Sequence, residues 1–369
     1  METEYTIIGG GVVGLCVAYG LLGLGRQVTV LDEGDDAFRA SRGNFGLVWV
    51  QGKGLQAPDY ARWTRRSAAE WKSFADELSG ESGIDLALRQ DGGYDYHLSE
   101  QSLANRVADY DRLRGALGGD YPYEVLDPAT LRREEPHVGP SVAGAILHKE
   151  DGHLNPLRLL RALVGAVRQR GGVVHTGTPT NAIEAGDRGY RVHTPDGGVV
   201  HTDRVVLCAG LGNARLGPSL GFQAPLRPQR GQNLITEKLP PLMHRPSGTL
   251  RQVDEGGVQI GDSKEEVGYD ETTTLDVMAG IADRAVRVFP ELAHVRVNRS
   301  WGGLRILSSD GLPIYEQSSS HRGIFMVSCH SGITLGAAHA RLVPRWLEGR
   351  SDAPDLEAFS ESRFSLQAA

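Results

Sequence analysis

The sequence predicts an α/β fold in which two domains interleave: a doubly wound nucleotide-binding domain, and an α+β domain built on an antiparallel sheet. Three observations predict it. A glycine-rich turn near residue 10 joins an apolar run to a helical stretch. Further apolar runs end at Ala209-Gly210 in the middle of the chain and at Ser328 near its end. Between them lie segments of another character, short runs separated by turn signals. The order sets residues 1–85, 146–225 and 306–369 as the first domain, and 86–145 and 226–305 as the second.

In chain order, Tyr5–Gly9 reads as a buried strand, Val12–Leu24 as a helix and Gln27–Leu31 as a second strand, the opening of a βαβ unit. Pro58–Leu78 is helical, with Trp63, Ser67, Trp71, Phe74 and Leu78 on one face. Ser99–Leu117 is a further helix. Asn155-Pro156 is a helix start, Asn as cap and Pro in the first turn, for Leu157–Arg170. Short strands are expected at Val173–Thr176, Tyr190–His193, Gly198–Thr202 and Arg204–Cys208, with a turn at Thr194-Pro195-Asp196-Gly197. Pro225–Gly231, rich in proline, marks a crossing between regions. Strands at Val258–Gly261 and Val295–Trp301 bracket a helix at Thr272–Val288. A buried strand, Gly323–Ser328, leads into a final helix, Gly332–Leu347.

Composition excludes several classes. The chain has 369 residues, a formal net charge of −7 and no basic run, so neither nucleic acid nor an anionic membrane is indicated as a partner. Cys16, Cys208 and Cys329 form no disulfide pattern, and without CxxC or HExxH no metal site is expected. No signal-like segment or membrane span is seen, which makes the cytoplasm the expected location.

Chemistry begins at Gly9, Gly11 and Gly14, a GxGxxG pattern between a strand and a helix. Gly9 permits the tight turn, Gly11 lets a pyrophosphate approach, and Gly14 lets helix and strand pack closely. The first helical amides, at Val12 and Val13, suit phosphate. Asp32, followed by Glu33, ends the second strand, where a carboxylate can accept from ribose hydroxyls. The domain is thus Rossmann-like, but the pattern does not separate FAD from NAD.

Five further segments resemble the D-amino acid oxidase superfamily, in particular its glycine oxidase and sarcosine oxidase branch, from Ile7 to about Phe364. The first is Ser41-Arg42-Gly43-Asn44-Phe45-Gly46-Leu47, continuing to Gly54. The resemblance implies a stretch that contacts the pyrophosphate and passes along the isoalloxazine. Ser41 and Arg42 suit phosphate. An ordinary surface loop is the alternative reading. Its wording is most similar to subunits of opine oxidase, hydrogen cyanide synthase and D-hydroxyproline dehydrogenase. The second segment is Thr178–Ile183, which implies adenine contact near Thr180, where relatives usually carry Val. The third is Asp203–Leu211, with Cys208, Ala209 and Gly210 beside the cofactor.

The fourth is Trp301-Gly302-Gly303-Leu304-Arg305. The resemblance assigns Arg305 the substrate carboxylate, and a guanidinium does hold a carboxylate through two parallel hydrogen bonds. A structural ion pair is the alternative. The fifth is Cys329-His330-Ser331-Gly332-Ile333-Thr334-Leu335. It implies a helix start aimed at the pyrimidine edge of the flavin, with the amides of Gly332–Leu335 stabilising negative charge there. His330 is a catalytic candidate beside Arg305, or a histidine that only lines the flavin. The residues around Gly302–Leu312 include no cysteine, so FAD is expected to be non-covalent.

The resemblance implies an FAD-dependent oxidase of amino acids or amines. An N-substituted glycine, such as an N-carboxymethyl amino acid, or a glycine-like amino acid would give up a hydride to flavin. The imine would hydrolyse to glyoxylate or another oxo acid and a free amine, with oxygen reduced to hydrogen peroxide. Glycine-oxidase-like enzymes acting on N-carboxymethyl β-amino acids in macrolactam biosynthesis are similar in this respect. A dehydrogenase subunit for an opine, D-hydroxyproline or a D-amino acid, passing electrons to a partner, is the alternative. An NAD-dependent dehydrogenase and a non-enzymatic FAD-binding regulator are weaker readings, opposed by the late motifs. A homo-oligomer is left open.

Overall fold

The computed structural model describes residues 2–34, 40–186 and 188–367, so the outermost positions of the first and last expected segments lie outside it. Strand Glu2–Ile8 lies parallel between Val28–Leu31 and Val199–Leu207. Val173–His175 extends this sheet beyond Val28–Leu31, and Ile324–Ser328 extends it beyond Val199–Leu207. Ile314–Gln317 closes one edge, and Tyr190–His193 and Ala182–Ala185 attach antiparallel to Val199–Leu207, making eight strands. The stretches Tyr5–Ile8, Val28–Leu31 and Val205–Leu207 are buried because both faces of the sheet are covered. Helix Val12–Gly23 covers one face, and Gly20 lets the late helix at Ala340 and Pro344 press against it.

A four-stranded antiparallel sheet runs in the order Leu250–Gln252, Gly257–Ile260, Leu226–Lys238, Val297–Ser308. A three-stranded sheet, Gly93–His97, Gly144–His148 and Glu124–Leu126, shares a core with it. Tyr94, Leu147, Leu234, Val258, Ile281 and Phe289 meet there, the last two brought by helix Leu275–Val288 and the turn after it. No helix among the described residues is long and apolar enough to cross a membrane.

Helix Pro58–Ser82 buries the expected face of Trp63, Ser67, Trp71, Phe74 and Leu78, Glu100–Ala116 falls within its expected bounds, and Asn155 Oδ1 accepts from the amides of Leu157 and Arg158 at the start of Pro156–Gln169. Five expectations need correction. Gly198–Thr202 and Arg204–Cys208 are one strand, Val199–Leu207; one edge runs parallel to Glu2–Ile8 from His201 on, while the other edge passes from Tyr190–His193, antiparallel, to Ile324–Ser328, parallel. The Asp203 interruption therefore marks a change of neighbour, not a turn.

Pro225–Gly231 is no crossing: residues from Leu226 on belong to a 13-residue strand. Pro228 is tolerated because its side of the strand faces away from Val297–Ser308. The like-facing amide of Arg230 bonds to the Glu265 carbonyl instead. The strand expected to stop at Trp301 continues to Ser308, because Gly302-Gly303 is not a break. A side chain at Gly302 would strike the Glu271 carbonyl, so glycine serves a close crossing there.

The helix expected from Thr272 starts at Leu275. The Thr272 amide is held by Asp270 Oδ1 at 2.8 Å and the Thr274 amide by Gln232 Oε1 at 2.9 Å, local bonds that compete with helix. The last helix begins at Gly336, not Gly332, and is interrupted at Leu342 ahead of Pro344. Residues 332–335 form a turn in which the Leu335 amide already bonds to the Ser331 carbonyl at 2.9 Å. Leu335 therefore has no amide to offer, whereas the amides of Gly332, Ile333 and Thr334 have no partner among the described residues.

Candidate active site

The fingerprint turn is held by covalent geometry as much as by contacts. Gly9 has φ of +108°, and a side chain there would strike the Cys208 carbonyl. A side chain at Gly14 would strike the Gly9 carbonyl, so helix and strand meet only through glycine. Gly11 differs: its nearest neighbour in that direction is the mobile Ser41 Oγ at 2.9 Å. Ser41 Oγ also accepts from the Val12 amide at 3.0 Å, which places the Ser41 segment at the helix start. The amides of Val13 and Gly14 keep no partner among the described residues, as expected in a first turn. Asp32 Oδ2 accepts from the Gly10 amide at 2.6 Å and Oδ1 from the Gly34 amide at 2.9 Å. Its carboxylate is thereby fixed at the strand end, with lone pairs left for a ribose. Glu33 and Arg42 are exposed on either side.

The stretch from Gly43 to Lys53 crosses from this turn towards the second sheet. Asn44 Oδ1 accepts from the Gly46 amide at 2.8 Å, and the Gly43 carbonyl accepts from Trp301 Nε1 at 3.1 Å. Gly46 has φ of +85° and presses on the Leu154 carbonyl, while Phe45 lies against Gly261 and near Arg251. The turn at 331–335 is tied to the same stretch, since Thr334 Oγ1 accepts from the Trp49 amide at 3.1 Å and donates to the Leu47 carbonyl. Beneath it, buried Asp151 takes the amides of Val50 and Gln51 and the Gln51 side chain. Burial pushes the Asp151 carboxyl up to about 8 despite these bonds.

Arg305 stands on a strand of the second sheet and His330 follows the last strand of the first, yet the charge of Arg305 reaches the His330 ring. Arg305 stands on Val297–Ser308, across from Gln229 and beside Gly231, where any side chain would collide with the guanidinium. It is not a free cation: Nη2 donates to Asp262 Oδ2 at 2.8 Å, and Nη1 to the carbonyls of Ser263 at 2.7 Å and Arg230 at 3.3 Å. A guanidinium has five N–H groups, so donors remain for a ligand. Burial lowers the basicity of Arg305, opposed by the charges of Asp262 and Glu265.

His330 Nδ1 is 3.3 Å from Ser331 Oγ. Burial, then the charges of Lys53, Arg305 and Lys264, push its pKa well below the usual value. The imidazole is therefore neutral at neutral pH, and three nearby cations oppose its taking a proton. That environment suits a lining residue better than a general base.

Lys53 escaped the reading of the sequence. Its Nζ donates to Ser331 Oγ at 2.6 Å, and Tyr60 donates to the same oxygen at 2.8 Å. Burial lowers the Lys53 pKa to about 8. The signal was a lone lysine between Gly52 and Gly54 in an otherwise apolar stretch. Asp262 and Asp151 had no such signal, because their partners are distant in sequence.

These residues fit a flavin dinucleotide. The glycine turn and Ser41 suit pyrophosphate, and Asp32 suits ribose. Thr180 Oγ1 is buried without a partner among the described residues, at the place expected for adenine. Gly303 faces open space inside a strand, as a flat ring requires, and Gly210 takes φ of +58° beside Cys208 and Ala209. Gly332 lies against Val13, which sets the 332–334 turn beside the first turn of the helix.

Comparison with known proteins agrees. A family model described as FAD dependent oxidoreductase matches residues 4–346. The chain is 42% identical to an opine oxidase subunit of Agrobacterium tumefaciens, over 100% of this chain and 99% of that protein. It is 29% identical to hydrogen cyanide synthase subunit HcnC of Pseudomonas protegens, over 98% and 96%. The crystal structure of glycine oxidase from Geobacillus kaustophilus superposes with a TM-score of 0.90 at 24% identity, covering 97% and 98%, and so shares the fold.

Proposed function

The chain belongs to the FAD-dependent oxidoreductase family, and from that premise we propose that it oxidises the carbon–nitrogen bond of an N-substituted glycine, an N-carboxymethyl amino acid. The observation that carries this reading is Arg305, braced by Asp262 and the Ser263 carbonyl with N–H groups to spare, whose charge is felt at Lys53 and His330. FAD is the cofactor, and when bound it supplies the acceptor for a hydride at N5. Arg305 holds the substrate carboxylate and so orients the carbon to be oxidised. The cations around His330 disfavour an ammonium, which keeps the substrate amine neutral and its lone pair available. Loss of a hydride from carbon and a proton from nitrogen gives the imine, and water then yields glyoxylate and the free amine. The division of labour we propose gives residues 1–85, 146–225 and 306–369 to FAD and residues 86–145 and 226–305 to the substrate; the distribution of the sheets supports it.

The test is product analysis. Incubation with N-carboxymethyl-β-alanine is expected to release glyoxylate and β-alanine in equal amounts, and no glyoxylate overturns the substrate assignment. A second reading, electron transfer to a partner protein instead of oxygen, is supported by the names of the relatives, two of which are subunits. Hydrogen peroxide formed in step with glyoxylate favours the oxidase; flavin that stays reduced in air favours electron transfer to a partner.

A further inference from the structure

Every hydrogen-bonding position of Ser331 Oγ is accounted for. Lys53 Nζ donates to it at 2.6 Å, Tyr60 Oη donates at 2.8 Å, and His330 Nδ1 lies 3.3 Å away. Tyr60 is buried, and its hydroxyl hydrogen has no other acceptor among the described residues, which fixes its direction. A hydroxyl accepts twice and donates once. With both lone pairs taken, the Ser331 hydrogen goes to His330 Nδ1, and the neutral ring carries its own proton on Nε2. That nitrogen has no partner among the described residues. The backbone holds the arrangement. The Lys53 amide donates to the Val50 carbonyl at 3.1 Å, and a side chain at Gly54 would strike Ala57 and Ala61, so the lysine turn packs on the start of the helix that carries Tyr60.

When Lys53 gives up a proton, one rearrangement again satisfies every atom. Ser331 donates to the Lys53 amine, keeps the Tyr60 hydrogen and accepts from His330 Nδ1, which leaves a lone pair on Nε2. The surroundings favour that loss. Burial, Arg305 and Lys264 drive the proton off, against Cys329 and Asp151, and the Lys53 pKa falls to about 8. Cys329 stays a thiol, pushed up by burial to about 12, while Asp151 titrates near 8 itself.

We propose that Lys53 is the final acceptor of the proton that the substrate ammonium must shed, reached through His330 and Ser331. The proposal rests on the amine-oxidation reading and adds its proton path, since an alkylamine is an ammonium near neutral pH. The substrate nitrogen gives its proton to His330 Nε2, Nδ1 gives its proton to Ser331 Oγ, and Ser331 gives its hydrogen to Lys53 Nζ. One proton moves and no electron does. The imidazole ends neutral, with its proton on the other nitrogen. His330 thus passes a proton without keeping its charge, as the cations around it require.

The limiting rate of anaerobic flavin reduction by saturating N-carboxymethyl-β-alanine is measured against pH in the holoenzyme. It is expected to rise through about 8 and level off above, because neutral Lys53 is the accepting form. Lys53→Met, Lys53→Arg and Ser331→Ala should each lose that limb, falling about 100-fold at pH 7 and staying within a few-fold of wild type at pH 10, where the amine loses its proton to water. Asp151→Asn should keep the limb. Nitrogen-15 NMR of the holoenzyme without substrate, with His330 assigned through His330→Gln, should find the ring proton on Nε2 near pH 6.5 and on Nδ1 near pH 9.5. In Lys53→Met it should stay on Nε2. A Lys53→Met enzyme that keeps the limb, or is slowed by one factor at every pH, overturns the proposal. So does a limb lost in Asp151→Asn, or a wild-type ring proton that stays on one nitrogen; in each case flavin reduction leaves the amine-oxidation reading standing. Flavin that is reduced at no pH overturns that reading, and the proposal with it.

Discussion

Arg305→Met is expected to lower kcat/KM for an N-carboxymethyl amino acid about 1000-fold, with the flavin still bound. Truncating one partner of a buried, hydrogen-bonded charge pair costs about 4 kcal/mol, and each 1.4 kcal/mol is tenfold. Arg305→Lys should recover part of this, because an ammonium keeps the charge but loses the paired geometry. The ion pair with Asp262 supplies the necessary control. If Arg305 serves only that pair, then Asp262→Asn should cost as much activity as Arg305→Met, and both should lower the melting temperature alike. If Arg305 holds substrate, Asp262→Asn leaves the guanidinium in place, supported by the carbonyls of Ser263 and Arg230, and activity stays within a few-fold. Steady-state kinetics on the three variants, with thermal melting, separates the two cases.

Gly11→Val is expected to give a folded, colourless protein. The added side chain meets first Ser41 Oγ, which can turn away, so the fold tolerates it. What it fills is the approach of the pyrophosphate to the helix start. Loss of two charge-assisted bonds there corresponds to roughly 1000-fold weaker FAD binding. Gly14→Val should behave differently. Its side chain runs into the Gly9 carbonyl inside the packed strand–helix junction, and backbone cannot move aside. Insoluble or unfolded protein is expected from that variant. Circular dichroism and the visible spectrum after reconstitution with FAD distinguish the two glycines. A yellow Gly11→Val protein with wild-type affinity would remove the fingerprint from the cofactor site.

Much of this arrangement was legible in the sequence, for local reasons. The fingerprint, its strand and its helix are set within a few residues of one another, and the helix at Asn155-Pro156 carries its own cap. The failures share a different cause. Gly302-Gly303 and Pro228 carry breaker signals, yet both sit inside long strands, because what decides there is the neighbour rather than the residue. Gly302 admits the Glu271 carbonyl, and the amide-less side of Pro228 has no strand to serve. The turn at 332–335 was read as helix because it runs directly into the helical stretch that follows it. Thr334, bonded to Leu47 and Trp49 nearly three hundred positions earlier, accompanies a looser start in which three amides have no partner among the described residues. The site shows the same division. Arg305 was found through its local motif, whereas its partner Asp262 and the anchor Asp151 emerge only from the folded chain. Lys53 lay in plain view, but nothing in the sequence said that it would reach Ser331.

The most direct test of the account is an anaerobic titration of the purified, yellow protein with N-carboxymethyl-β-alanine, followed in the visible flavin band. Bleaching of that band under nitrogen, with one glyoxylate formed per flavin reduced, is the predicted result. A flavin band that persists with this compound and with glycine, sarcosine and D-proline would contradict it.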